Sequence, residues 1–235
     1  MSRKLTLMTS PMPSPTGWSW RSRALAALAA SCALAPLAVR AGPPGARPGP
    51  IVLPRPASFE AAVAAIEAAT GAKGEAVELG GAAVPLADGR AFEVNGATAE
   101  RLLTGSHEAF LEGGLYLFRL ERSFGIAGEK DPVVLLRTAD RSAVIRRVGT
   151  SGPKVGATTD KIVAWLDALA KDEPFELTEI GVDYLAGRFL RAPKDPAEIA
   201  RRCAELAPDL VAARASTLAL LVEEIRTAHT LYLIW

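Results

Sequence analysis

Apolar residues recur along most of the chain at two spacings, which predict a mixture of helices and strands. Spacings of three and four residues predict helices over Phe59–Thr70, Ala97–Leu111, Ala139–Val148, Asp160–Lys171, Ala197–Leu206 and Leu218–Arg226. Alternation and short apolar runs predict strands over Ala76–Leu79, Ala83–Leu86, Ala91–Val94, Leu115–Leu120, Pro132–Leu136, Phe175–Ile180, Val182–Leu185 and Leu231–Trp235. Because the two types are interspersed, we expect a single α+β domain, with a mixed sheet, hairpins and flanking helices.

Turn-forming residues refine this pattern at two places. Asp88-Gly89 stands between two predicted strands and is typical of a two-residue hairpin. Gly187-Arg188-Phe189 predicts a tight turn that follows a short apolar run. Asp183 and Arg188 flank that unit, and we expect them to form an ion pair that ties it down.

The first 41 residues have the pattern of an export signal. Arg21 and Arg23 precede the uncharged, largely apolar residues 24–39, and the small residue Ala41 follows at a position that suits cleavage. The apolar run is shorter than the roughly 20 residues of a membrane span. We therefore expect residues 1–41 to be a signal peptide and the protein to be periplasmic or extracellular.

Two other interpretations of this leader stay open. The segment Leu28-Ala29-Ala30-Ser31-Cys32 resembles a lipobox, which predicts a lipoprotein anchored to the membrane through Cys32. All methionines of the chain (Met1, Met8 and Met12) fall in the leader, so a mis-assigned start would leave a cytoplasmic protein. Membrane contact is expected only through this segment, if it is uncleaved or lipidated.

Residues 42–57 predict an extended linker. They include six prolines and three glycines, which suit neither a helix nor a central strand. Ser58 follows as a helix N-cap signal, so the ordered domain is expected to span residues 58–235.

The net charge of the chain and its distribution indicate which class of partner to expect. The formal net charge of +1 includes five basic and no acidic residues in 1–41, so the remainder carries 22 basic against 26 acidic residues, a balance of −4. Nucleic-acid-binding domains need a basic face that neutralises phosphates. We therefore expect a protein or small-molecule partner and no nucleic acid.

The residue types used most often in catalysis and metal binding are sparse. His107 and His229 are the only histidines, and neither stands in an HxxxH or CxxC spacing, so no metal site and no cofactor are expected. Ser106, His107 and Glu108 are adjacent on a predicted helix and point in different directions, so they cannot form a triad. We expect His107 on the solvent side or at a cap, and Cys203 as a small core residue.

Several spaced motifs in residues 105–235 resemble the bacterial family known as domain of unknown function 4253. That family has a threonine-glycine loop, an IxxWLxxL helix, a GxDFLxGRF segment, a CPD motif, a QGxGT loop and a closing WWD. The matching residues here are Thr150, Gly152, Ile162, Trp165, Leu166, Gly181, Asp183, Tyr184, Leu185, Gly187, Arg188, Phe189, Pro208, Asp209, Thr217 and Trp235. The resemblance implies no activity.

The chain departs from the family pattern at several polar positions. Ala207 replaces the cysteine of the CPD motif, and Ala213-Arg214-Ala215-Ser216 replaces the glutamine-glycine loop. Ile234 replaces the first tryptophan of the closing motif. If these positions form a site in the family, this chain has lost part of it.

Two function classes remain. The first, which we favour, is a non-catalytic binding or interaction module, exported or membrane-tethered. The second is a hydrolase or phosphate-handling enzyme with a polar site of Asp183, Arg188 and Asp209 around the loop Gly149–Gly156, whose amides could hold an anion at a helix start. These three charged residues are the candidate ligand-binding residues, and no catalytic residue is assigned. The classes differ in whether the three charges share one cleft.

Overall fold

Helices cover both faces of a seven-stranded mixed sheet in this computed structural model, which describes residues 48–79, 86–122, 128–213 and 217–235. The strands are β1 (Glu75–Val77), β2 (Leu86–Val94), β3 (Tyr116–Arg119), β4 (Asp131–Leu136), β5 (Phe175–Ile180), β6 (Tyr184–Phe189) and β7 (Thr230–Ile234). The helices are α1 (Phe59–Thr70), α2 (Gly96–Glu112), α3 (Arg141–Val148), α4 (Thr159–Asp172), α5 (Pro196–Leu206), α6 (Asp209–Ala213) and α7 (Leu218–Ala228). The predicted α+β class is confirmed.

The strands follow the order β1-β2-β4-β3-β5-β6-β7. All neighbours are antiparallel except β3 and β5, which are parallel and pair at Arg119 and Glu179. The sheet therefore has one parallel seam, and the carboxyl ends of β3 and β5 meet there.

Successive residues along a strand point to opposite faces of the sheet, and each face has its own hydrophobic core. In β4, Val133 and Leu135 pack with α1 and α2, whereas Val134 and Leu136 pack with α3, α4 and the carboxyl-terminal helices. Phe92 and Phe118 are fully buried, one in each core, and truncating such a side chain to alanine costs about 3–5 kcal/mol.

The helices cover the two faces unequally. On the face of α1 and α2, they pack on β2, β4 and β3. The side chains of β6 and β7 on this face are half-buried or exposed, while the alternate residues Leu185, Leu231 and Leu233 are buried on the other face. The part of the sheet formed by β6 and β7 therefore lies beside α2 and is not covered by it.

The predicted hairpin at Asp88-Gly89 is wrong. Both residues lie inside β2, where Gly89 pairs with Leu136 of β4. The Asp88 carboxylate accepts a hydrogen bond from Arg147 at 2.8 Å, and its main-chain oxygen accepts one from the Arg137 amide at 3.0 Å. These long-range partners outweigh the local turn preference.

Residues 49–56, predicted to belong to a free linker, lie extended along α2 and are called the strap below. The Ile51 amide donates to the Arg101 carbonyl at 2.9 Å, and the Leu53 amide donates to Ser106 Oγ at 3.0 Å. Gly105 allows this close approach, because a Cβ there would lie 2.2 Å from the Ile51 carbonyl oxygen. Order therefore begins before Ser58, where the sequence predicted its start.

Some predicted features lie outside the described residues. They include the signal segment 1–41, Cys32 and most of the predicted strand Ala83–Leu86. Among the helices that the structure does describe, none combines the length and the apolar character that crossing a membrane requires.

Candidate functional site

Asp183 lies in a turn that several distant segments hold in place. The Thr150 hydroxyl donates to the Gly181 carbonyl at 2.7 Å, and the Trp235 amide donates to the Asp183 carbonyl at 2.9 Å. The Asp183 side chain is half-buried, and burial raises its pKa, although Lys154 acts weakly in the opposite direction. The turn between β5 and β6 is therefore a fixed structure.

The glycine-rich loop Gly149–Gly156 packs against Trp235 beside the same turn. A Cβ on Gly152 would lie 2.2 Å from the indole ring, so the loop needs glycine at this point. The indole nitrogen of Trp235 donates to the Leu206 carbonyl at 2.8 Å. Thr150, Gly152, Asp183 and Trp235, which belong to separate motifs of the sequence, thus meet at one end of the sheet.

Arg188 lies inside strand β6 and not in a turn, and its carboxylate partner is Glu176 of β5. The predicted pair with Asp183 is not formed. Asp183 directly precedes β6 and lies five positions before Arg188, which in an extended strand is roughly 16 Å. Asp209, the third candidate, is half-buried at the start of α6, a short helix that packs against β7. The structure therefore places Asp183 and Arg188 at opposite ends of β6.

Arg188 lines a cavity of about 350 Å³ between α2 and β6, which we call the α2 groove. The other lining residues all come from α2: Leu103, Thr104, Gly105, His107, Glu108, Ala109 and Glu112. The groove combines apolar side chains with charges of both signs and lies beside the uncovered part of the sheet.

His107 is buried, with 2% of its surface exposed, so the prediction of a solvent-side or capping residue is wrong. Its Nδ1 lies 2.6 Å from the Leu117 carbonyl oxygen, which can only accept, so Nδ1 carries the proton. Nε2 is then an acceptor, and it has no hydrogen-bond partner in the described part of the chain. Burial lowers the pKa of His107, against the opposing effects of Leu117 and Glu176.

A second polar cluster lies where the carboxyl ends of β3 and β5 meet. Arg119 is buried and lies 3.4 Å from Asp131 and 3.5 Å from Glu179, which are also buried. Its Nη2 donates to Glu100 of α2 at 3.2 Å. Arg122 pairs with Glu179 and Glu100; burial alone would lower the pKa of Arg122, but these carboxylates raise it.

This cluster has the position in which open α/β sheets commonly bind ligands, but its arginines are already engaged by carboxylates. Burial raises the pKa of the Tyr184 hydroxyl well above its usual value, and Glu179 adds to the effect. The hydroxyl donates weakly to the Leu120 carbonyl at 3.4 Å. The sequence did not predict this cluster. The only available signal was a charged residue at a position that the alternation along the strand directs inward, as at Arg119 and Glu179.

The remaining candidates have structural positions. Cys203 is buried in α5, as predicted, and burial raises the pKa of its thiol to about 12. His229 ends α7 in the left-handed conformation with φ 53°. Within the described ranges, no three His, Cys, Asp or Glu side chains are arranged to hold a metal ion.

Comparison with known proteins supports the resemblance carried by the motifs. Searches of curated proteins and of solved structures found no significant match to this chain. The family model described as "Domain of unknown function (DUF4253)" matches residues 132–235, from β4 to the last residue of the sequence. This match confirms that the carboxyl-terminal part of the chain, residues 132–235, resembles the DUF4253 family.

Proposed function

We propose that this protein is a non-catalytic binding module that takes up a small molecule or a side chain of a partner protein in the α2 groove. The observation that carries the proposal is a cavity of about 350 Å³ whose lining includes His107, a buried histidine whose Nε2 has no hydrogen-bond partner in the described chain. Ligand cavities commonly have volumes of roughly 300–1,000 Å³ and a few convergent polar groups. Buried polar atoms are seldom left unpaired, so the state of His107 distinguishes this cavity from an ordinary surface depression.

The alternative function, a hydrolase or phosphate-handling enzyme, requires Asp183, Arg188 and Asp209 to act on one substrate. Asp183 and Arg188 lie at opposite ends of β6, and Arg188 is already paired with Glu176. No observation on these residues favours a shared reaction centre, so the binding module is the better supported function.

The binding proposal is tested by nuclear magnetic resonance with a library of small polar compounds on the ¹⁵N-labelled chain. We expect hits that shift the amide signals of Ala109, Arg188 and their neighbours. The substitution Ala109→Trp fills the groove and should abolish these shifts. Ala97→Trp, at an exposed position near the start of the same helix, introduces the same residue outside the groove and should leave them unchanged. A library without a groove-directed hit contradicts the proposal.

We also propose that the protein is exported through residues 1–41. Support comes from the sequence alone: two arginines followed by an apolar run and a small residue at its end. Mass spectrometry of the protein from its native host should show a mature amino terminus near Gly42. An acyl group on Cys32 would instead support the lipoprotein alternative, and an intact terminus in the cytoplasmic fraction would contradict export.

A reporter fusion tests the same proposal without the native host. Residues 1–57 fused to a phosphatase that is active only after export should give active enzyme. Leu28→Arg, which places a charge in the apolar run, should abolish this activity, whereas Leu5→Arg, ahead of the run, should not. Equal activity of the two variants would show that the apolar run does not direct export.

A further inference from the structure

Asn95 carries the only side-chain amide of the chain, because the sequence contains no other asparagine and no glutamine. Gly96 follows it directly, and Asn95 is exposed to solvent at the point where α2 begins. Glycine has no Cβ, so the main-chain nitrogen of Gly96 can approach the preceding side chain with little steric hindrance. The chain therefore keeps one carboxamide, in the sequence context that most exposes it to attack by the main chain.

The first turn of α2 holds Asn95 in a capping conformation. Its Oδ1 accepts a hydrogen bond from the Thr98 amide at 2.8 Å, and its carbonyl accepts one from the Ala99 amide at 2.9 Å. The Gly96 amide occupies the first helical position, where a helix supplies no carbonyl partner. With ψ at 154° for Asn95, however, the Gly96 nitrogen is turned away from Cγ, so an attack requires that the cap open first.

We propose that Asn95-Gly96 is a site of spontaneous deamidation whose rate is set by opening of the first turn of α2. The main-chain nitrogen of Gly96 forms a bond to Cγ of Asn95, which closes a cyclic imide, and the bond between Cγ and Nδ2 breaks. The amide proton of Gly96 ends on the ammonia that departs. Water then hydrolyses the imide at one or the other of its carbonyl carbons, which gives aspartate or isoaspartate, and no further reactant is needed.

The two products have opposite effects on the start of α2. Aspartate at position 95 keeps an oxygen for the cap, and the helix dipole favours its negative charge. Isoaspartate instead continues the main chain through the former side chain, which lengthens the backbone by one methylene group and removes the capping oxygen. Only isoaspartate therefore releases the first turn.

The main chain at Gly96 packs against the buried cluster at the parallel seam, which makes it sensitive to such a change. A Cβ on Gly96 would lie 3.2 Å from Asp131 Oδ2, and the Gly96 carbonyl accepts a hydrogen bond from Arg119 Nη2 at 3.4 Å. The longer backbone of isoaspartate displaces this carbonyl from Arg119. In the unmodified chain, Arg119 also binds Glu100 at 3.2 Å, within the first turns of α2, and so helps to keep the cap closed.

The test follows the intact mass of the full chain during incubation in native buffer and in urea. Each deamidation adds about 1 Da. Asn95 is the only side-chain amide, so the mass reports on this residue alone. We expect the mass to rise in native buffer, and to rise faster in urea, where the cap is open. Equal rates in the two solutions, or a native chain that stays unmodified long after conversion in urea is complete, overturn the proposal.

Two variants with matched positions on α2 test the control by the first turn. Glu100→Ala removes a contact that holds this turn and should speed deamidation in native buffer at least about twofold. Glu112→Ala, at the other end of the same helix, should leave the rate unchanged. Both variants are checked for a native pattern of amide signals by nuclear magnetic resonance. A rate for Glu100→Ala equal to that of the parent chain overturns the proposal.

The structural effect is measured on the aged chain. Labelling by an isoaspartyl methyltransferase should identify isoaspartate in the peptide that contains residue 95, and the amide signals of Ala97 and Thr98 should shift. Asn95→Asp, which reproduces the aspartate product, should keep the cap and give neither the label nor the loss of the first turn. An aged chain that carries the label but has the amide signals of Asn95→Asp overturns the release of α2.

Discussion

The carbonyl oxygen of Ile51 lies directly against Gly105 of α2, at a point where a single methyl group would approach it to 2.2 Å. The strap is thereby held to the helix through main-chain contacts, and Ile51 and Leu53 pack against the core beneath α2. A segment rich in proline thus becomes part of the folded domain.

The first prediction concerns the strap. A chain that starts at residue 58 should unfold about 2–4 kcal/mol more easily than one that starts at residue 48, because it loses two half-buried apolar side chains and several hydrogen bonds. Denaturation in urea measures the difference. Equal stability of the two chains would mean that the strap contributes nothing to the fold.

Gly105→Ala separates this contact from the intrinsic effect of the residue on the helix. In the chain that starts at residue 48, the methyl group must displace the strap, and we expect a loss of about 1–3 kcal/mol. In the chain that starts at residue 58, the same change should stabilise by about 0.5–1 kcal/mol, since alanine is the better helix former. The same sign in both chains would contradict the contact.

The second prediction concerns Glu108 and Glu112, which lie four residues apart near the carboxyl end of α2. Glu108→Gln should raise the free energy of unfolding by about 0.3–1 kcal/mol, because it removes a like-charge repulsion and an unfavourable dipole interaction. The gain should shrink in 1 M salt, where charges are screened. Glu100→Gln, on the same helix, should destabilise instead, because Glu100 pairs with Arg119. Destabilisation by Glu108→Gln would contradict the repulsion between these two carboxylates.

The third prediction concerns the buried cluster at the parallel seam. Arg119→Met leaves Asp131 and Glu179 buried near each other without their shared cation and should cost about 3–5 kcal/mol. The triple variant Arg119→Met/Asp131→Asn/Glu179→Gln should be more stable than the single one, because the two carboxylates that Arg119 neutralises are then uncharged as well. Urea denaturation of both variants checks this order, and a neutral Arg119→Met would contradict the structural role.

The fourth prediction concerns the pH dependence that Cys203 confers. Burial raises the pKa of its thiol to about 12, above the value of about 8.5 in an unfolded chain. The folded state therefore binds the proton more tightly, and stability should fall as pH rises from about 8.5 towards 12. Cys203→Ala should flatten the slope of unfolding free energy between pH 8 and pH 10. A chain that starts at residue 48 contains only this cysteine, and its thiol should react with a disulfide reagent only after unfolding.

Local signals in the sequence determined the fold class and most helix starts. Ser58 caps α1 as predicted, and Thr158 and Asp195 cap α4 and α5 in the same way, because a side-chain oxygen next to an apolar periodic segment acts within one turn of helix. The burial of Cys203 and the resemblance of residues 132–235 to the DUF4253 family could also be predicted from the chain alone.

Features that depend on distant partners were decided only by the tertiary structure. Asp88-Gly89 entered a strand because β4 pairs with it, and Arg188 paired with Glu176 because β5 lies beside β6. The sequence around His107 predicted a solvent-side or capping residue. His107 is buried because α2 packs on β3. The α2 groove is formed by residues of a helix and of a strand that are far apart in the chain. A local sequence pattern cannot predict that these two elements pack side by side.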